Sequence, residues 1–226
     1  MSRDPAAPSG LRRFTRAETW VHRSVAWLMG VCVLTGACLY LPQLAEVVGR
    51  RRLVVTLHEY SGIAVPVPVL LGLASRAFRA DAARLGRFFP HDWRWVRVAL
   101  RRRRREPSLA GKFNAGQKLY AAFATGALLV MAGTGVLMWF PRLAPLVWRT
   151  GSTFVHDWLA LLFAAVITGH VWFAAQDPEA RRGLRTGYVP RWWAREEHPL
   201  WRAGEPPPDP PAGEPGPGPQ RPLSRS

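Results

Sequence analysis

Four long stretches with few or no charged side chains, 24–41, 53–75, 119–140 and 158–176, limit what this chain can fold into. Each is long enough, or nearly so, to cross about 30 Å of hydrocarbon as a helix. In lipid, only a helix or a closed barrel satisfies its own backbone. The sequence therefore predicts an all-α fold, an integral membrane four-helix bundle with spans at about 20–41, 53–75, 117–140 and 154–176. The first stretch follows an Arg-rich N-terminus, and no small-residue cleavage site comes after it, so it reads as a retained helix. Pro66 and Pro68 should bend the second span.

The net charge of +16 invites a nucleic-acid reading, and 101–105 is a run of five arginines. Position argues otherwise. Twenty-six of the 31 basic residues fall in 1–23, 76–118 and 177–226, and the two remaining loops hold five between them. That asymmetry is the positive-inside pattern. It predicts cytoplasmic N- and C-termini, a multi-pass protein of the inner (cytoplasmic) membrane, lipid as its surroundings and no nucleic-acid partner. Residues 1–13 read as a flexible leader and 14–203 as the membrane domain. Within it, about 88–106 reads as a basic amphipathic helix on the cytoplasmic surface. The Pro/Gly-rich stretch 204–226 reads as disordered.

The first and third spans end alike, in TGACLYLP (35–42) and TGVLMWFP (134–141). The second and fourth open alike, with HEY (58–60) and HDW (156–158). Corresponding positions are offset by 98 or 99 residues. Two helical hairpins of related design give this pattern, and so does the common grammar of membrane helices, rich in glycine and interfacial aromatics.

Ionisable groups at membrane depth are costly and mark function. His156 and His170 stand fourteen residues apart, which on one helix is about 21 Å and roughly 40° short of four turns. They share a face, one near each surface. Depth then pairs His22 with His170 on the inner side and His58 with His156 on the outer side. Zinc wants four ligands. The acids Glu59 and Asp157 point about 100° away from their neighbouring histidines, and the inner pair has no acid or thiol at its depth. A low-spin haem needs two axial imidazoles and a flat apolar slot between helices. Gly30, Gly36, Gly62, Gly133, Gly135 and Gly169 offer places where the macrocycle approaches a backbone. No C-x-x-C-H occurs, so the groups are two haem b without covalent attachment. Cys32 and Cys38 lie inside the first span on different faces and suggest neither a disulfide nor an iron–sulfur site. The competing role for these histidines is hydrogen bonding between helices. His91 and His198 read as interfacial or solvent-exposed.

The segments WVHR, TLHEYSG, GKFNAGQK (111–118), FVHDW and ITGHVW, in that order, with GYVPRWWAREEHPLW (187–201) after the last span, resemble the membrane cytochrome b, or gamma, subunit of respiratory formate dehydrogenases. The similarity runs from about residue 12 to 202, and GKFNAGQK is its most specific part. The resemblance implies two haem b with axial ligands His22, His58, His156 and His170. It also implies a quinone site (menaquinone or ubiquinone) at Asn114, Gly116, Gln117 and Lys118 beside the inner haem. For Lys118, a snorkelling interfacial role competes. Implied partners are an iron–sulfur subunit on the outer face and a molybdopterin catalytic subunit. The chain itself would carry electrons from the former to quinone, without the substrate-oxidising site. Glu59 departs from the smaller or apolar residue common there. Cytochrome b subunits of nickel–iron hydrogenases or molybdenum reductases follow the same haem arithmetic. A non-redox transporter or scaffold using histidines for zinc or protons is the reading from another class.

Overall fold

The computed structural model describes residues 10–101 and 110–201. Most of the predicted leader, most of the arginine run and the Pro-rich tail lie outside the described residues. Among the described residues the chain is helical apart from one two-stranded ribbon. It runs β1 (Leu11–Arg12), α1 (Arg16–Tyr40), α2 (Pro42–Val48), α3 (Arg51–Ala64), α4 (Pro66–Gly72), α5 (Arg76–Leu85) and α6 (Pro90–Leu100). Then come α7 (Ala115–Trp139), α8 (Leu146–Gln176), α9 (Pro178–Thr186), β2 (Tyr188–Val189) and α10 (Arg191–Glu197). Four segments are long and apolar enough to cross a membrane: Arg16–Tyr40, Arg51–Gly72, Ala115–Trp139 and Leu146–Gln176.

Local chemistry sets the boundaries. Thr15 caps α1 reciprocally with Glu18: the Thr15 N–H donates to Glu18 Oε2 (2.5 Å) and the Glu18 N–H to Thr15 Oγ1 (3.4 Å). Asn114 and Gln117 do the same for α7, at 2.8 and 3.0 Å. Each box satisfies two N–H groups that a helix start leaves without partners. Gly49 stops α2 in the left-handed region, φ 60°. The second span breaks at Val65, because Pro66 and Pro68 bring no N–H to the helix ladder. Val65 keeps right-handed helical angles, so α4 continues in the direction of α3 with a local kink. The fourth span starts eight residues before the predicted boundary, at Leu146. Arg149 lies in that first turn without ending the helix.

The helices pair chiefly as α1 with α3 and α7 with α8, and contacts of α3 with α7 and α1 with α8 close the ring. The ring order α1, α3, α7, α8 puts α3 and α8 on one diagonal and α1 and α7 on the other. At the terminus-bearing end, where the described residues start (Gly10) and stop (Trp201), sits a cap built from β1, α5, α6, α9, β2 and α10. Leu11 pairs with Val189 and Arg12 with Tyr188 in antiparallel register. Val189, Trp193 and Ala194 form the packed core there, against Leu11, Ala180 and Trp201. Within 88–106, where one surface helix was expected, the described residues form α6, and a further helix, α5, precedes it.

Candidate functional site

At the end remote from the termini, the two hairpins build the same arrangement twice. His58 opens from α3 toward Thr35 of α1, Nδ1 to Oγ1 2.9 Å. His156 opens from α8 toward Thr134 of α7, again Nδ1 to Oγ1 2.9 Å. Each threonine hydroxyl also donates to the carbonyl one turn back, Val31 at 2.6 Å and Val130 at 2.7 Å. With its hydrogen committed there, the hydroxyl oxygen accepts from the imidazole. Nδ1 therefore carries the ring proton in both histidines, and Nε2 keeps a free lone pair. That is the state a metal-ligating histidine needs, with its other nitrogen held by a hydrogen-bond partner.

The residue after each threonine is glycine, and the imidazole lies within ordinary van der Waals reach of the place a Cβ would take. A Cβ at Gly36 would meet the His58 ring at 3.5 Å, and one at Gly135 would meet the His156 ring at 3.5 Å. Two of the glycines singled out for a macrocycle thus seat imidazoles. A Cβ at Gly62 would stand 4.0 Å from Cys32 Sγ. Among the described residues, and apart from their own helix, nothing lies within 4 Å of the position a Cβ would take at Gly30, Gly133 and Gly169, and there a flat group can reach the backbone.

The spacing of the pair tests its capacity for a metal. Two imidazoles on one ion, each metal–nitrogen bond about 2 Å long, hold their ring centres about 6 Å apart. The His58 and His156 ring centres are 6.2 Å apart, inclined by 72°. Among the described residues no third His, Cys, Asp or Glu completes a metal-binding group with them. A tetrahedral zinc site therefore lacks ligands, whereas a macrocycle that fills four positions of its iron needs only this pair.

Toward the terminus-bearing end the design differs. His22 of α1 and His170 of α8, on adjacent helices, lie within range of each other's charge. The His170 ring stacks on Tyr120 of α7, centroids 4.2 Å apart and planes 9° from parallel. A stacked phenol fixes the plane of the imidazole without occupying its nitrogens.

The GKFNAGQK turn lies under the cap. Asn114 and Gln117 use their side-chain carbonyl oxygens in the capping box, and the box makes no use of their amide NH₂ groups. A Cβ on Gly116 would come within 3.1 Å of Trp95 of α6, so the glycine admits that indole. Lys118 does not snorkel: it is 5% exposed and donates to Asp92 Oδ2 at 2.6 Å. Its ammonium lies 5.1 Å from the centre of the Phe89 ring. Asp92 is 1% exposed and also accepts from the Phe89 N–H at 2.8 Å. A carboxylate so deeply buried persists only because both partners are in place.

His198 overturns its sequence reading as interfacial or solvent-exposed. It is 3% exposed, with Nδ1 donating to the Gly111 carbonyl (2.6 Å) and Nε2 accepting from the Arg13 guanidinium (3.3 Å). Burial first, and then the neighbouring Arg13 charge, push its pKa down to about 4. Arg13 stacks 4.7 Å from the Trp193 ring, and burial lowers its own pKa to about 10. Residues far apart in sequence thus clamp the GKFNAGQK turn. Sequence reasoning missed His198, Arg13, Asp92 and the acids Glu18 and Asp81. Thr35 and Thr134 were visible in the repeat, but their role was not.

The family described as prokaryotic cytochrome b561 matches residues 13–186. The nitrate-inducible formate dehydrogenase cytochrome b556(Fdn) subunit of Escherichia coli (strain K12) is 24% identical over 199 residues, covering 80% of this chain and 86% of that one. The subunit of the same name from Shigella flexneri aligns to the same extent. The formate dehydrogenase cytochrome b556 subunit of Haemophilus influenzae is 24% identical over 195 residues, 79% of each chain.

Proposed function

The chain belongs to the prokaryotic cytochrome b561 family, and from that premise we propose that it is the membrane electron-transfer subunit of a formate dehydrogenase. It holds two haem b, one between His58 and His156 and one between His22 and His170. Bound there, the two irons supply one-electron chemistry at two depths of one bundle. The observation that carries the reading is the duplicated threonine–histidine contact at a ring spacing of 6.2 Å.

The chain's own residues do the rest. Thr35 and Thr134 fix the tautomer that leaves Nε2 for iron, and each ring lies against the Thr-Gly step of its partner helix. Tyr120 sets the plane of His170. Asn114, Gly116, Gln117 and Lys118 bound a quinone site beside the second pair. The amide groups of Asn114 and Gln117 donate to a quinone oxygen, and Lys118 positions the turn through Asp92. Electrons arrive at the remote end from an iron–sulfur subunit, itself fed by a molybdopterin subunit. They leave at the terminus-bearing end, which faces the cytoplasm by the distribution of arginines.

A reduced-minus-oxidised spectrum of membranes containing the chain, with haem counted per polypeptide, tests this. A b-type α-band with two haems per chain is expected. Membranes rich in the chain but without that band would reject the reading.

A further inference from the structure

Beneath the GKFNAGQK turn, two carboxyl groups from distant parts of the chain meet. Glu18 lies in the first turn of α1 and Asp81 in α5, with side chains each 7% exposed. The Lys112 ammonium bonds Asp81 Oδ2 and lies 3.7 Å from Glu18 Oε1. Arg84 donates to Asp81 Oδ1 at 2.7 Å. Glu18 Oε2 accepts from the Thr15 N–H. Glu18 Oε1 is fully buried and has no hydrogen-bond partner among the described residues. A buried carboxylate oxygen left so is costly. The neighbouring group is Asp81, itself a carboxyl, and two acceptors satisfy each other only when one of them carries a proton.

We propose that Glu18 and Asp81 share one exchangeable proton, taken from water on the terminus side, and pass it toward the quinone site. The inference rests on the electron-transfer reading above. Conversion of a quinone to a quinol takes two electrons and two protons, and the pair stands where those protons have to come from. Lys112, which touches both acids, is two residues from Asn114 in the same turn. Glu18 stands one helical turn before His22, on the same side of α1. After each transfer the pair takes the next proton from water, so charge and atoms balance over the cycle. The charged groups around it are Lys112 from the turn, Arg84 from α5 and, at longer range, Arg13 beside β1. Burial, and then the adjoining Glu18, raise the Asp81 pKa to about 6. The group is therefore poised to exchange near neutral pH, where a proton donor works best.

Infrared difference spectroscopy on the whole complex, titrated with pH in the absence of quinone, reads the proton directly. A protonated-carboxyl C=O band that titrates near pH 6 and shifts in deuterium oxide is expected. It should vanish in both Asp81→Asn and Glu18→Gln. In Glu18→Gln an amide N–H stands in for the shared proton, so the fold is retained. In the same preparations, reduction of the b-type haems by an artificial donor should remain. Quinol formation should lose the pH-dependent step that wild type shows as pH rises through the titration. Absence of the band in wild type, or its survival in both variants, overturns the proposal. So do unchanged quinol pH profiles in both variants. Missing haem would instead reject the electron-transfer reading, and the infrared result would still stand by itself.

Discussion

The remote and terminus-bearing ends of the bundle hold histidine pairs by different means. At the remote end each imidazole comes from the second helix of a hairpin and rests on a Thr-Gly step of the first. The two halves share the same distances: 2.9 Å to the threonine and 3.5 Å to the glycine position. At the other end, His22 comes from the first helix of one hairpin and His170 from the second helix of the other. Counting 98 residues back from His170 leads to Gly72, which has no imidazole and is packed against Val21 and Phe78. A site made by repetition is autonomous, since each hairpin brings ligand and prop together. A site made by divergence leans on its surroundings: Tyr120, the GKFNAGQK turn and the buried charges of the cap.

The largest test of that contrast is ligand removal. His58→Ala should remove the remote haem and reduce formate-driven haem reduction to background. His170→Ala should remove only the other haem, leaving the remote one reducible. Haem content and stopped-flow spectra check both, and two haems retained in either variant would break the assignment. Next comes the cap. Asp92→Ala leaves the Lys118 ammonium buried without a counter-charge, a loss of about 3–5 kcal/mol. The melting temperature of the purified chain should fall, and the remote haem should be retained longer during heating than its companion.

Acid comes third. The folded pKa of His198 lies near 4, below the ordinary value of about 6.5, so the unfolded chain binds that proton more tightly. Stability is then intact above about pH 6.5 and declines as pH falls toward 4, by about 3 kcal/mol in total. Limited proteolysis of the cap against pH should show this decline, and His198→Gln should flatten it. The smallest effect is also the sharpest for symmetry. Thr35→Ala and Thr134→Ala each remove one prop, and such partners are typically worth 10–100-fold in metal affinity. Haem-release rates should rise by the same factor in both, whereas unequal factors would show that the halves have diverged.

Helix geometry made much of this legible beforehand. The fourteen-residue step from His156 to His170 fixes depth and face on any straight helix, and with the four-span topology it suggested which histidines share a depth. The two proline positions located the break at Val65 for the same reason, because a missing N–H acts locally. What the sequence hid was contact at long range. Glu18 meets Asp81 across 63 positions and Arg13 meets His198 across 185. No periodicity encodes such meetings. His198 lies in a polar, charged segment that resembles a solvated tail until the Gly111 carbonyl comes to it. The extra helix α5 was hidden because its short run, RAFRADAARL, has no apolar stripe long enough to stand out from the arginines.

The β1–β2 ribbon fixes the order of events during synthesis. Chains fold from the N-terminal side as they emerge, yet Leu11 and Arg12 find their partners only at Tyr188 and Val189. Arg13 waits longer, for His198. The cap cannot close until all four long helices and α9 have been made. The ribbon therefore closes late: a chain truncated before residue 188 would contain every proposed axial ligand and still leave its first strand open.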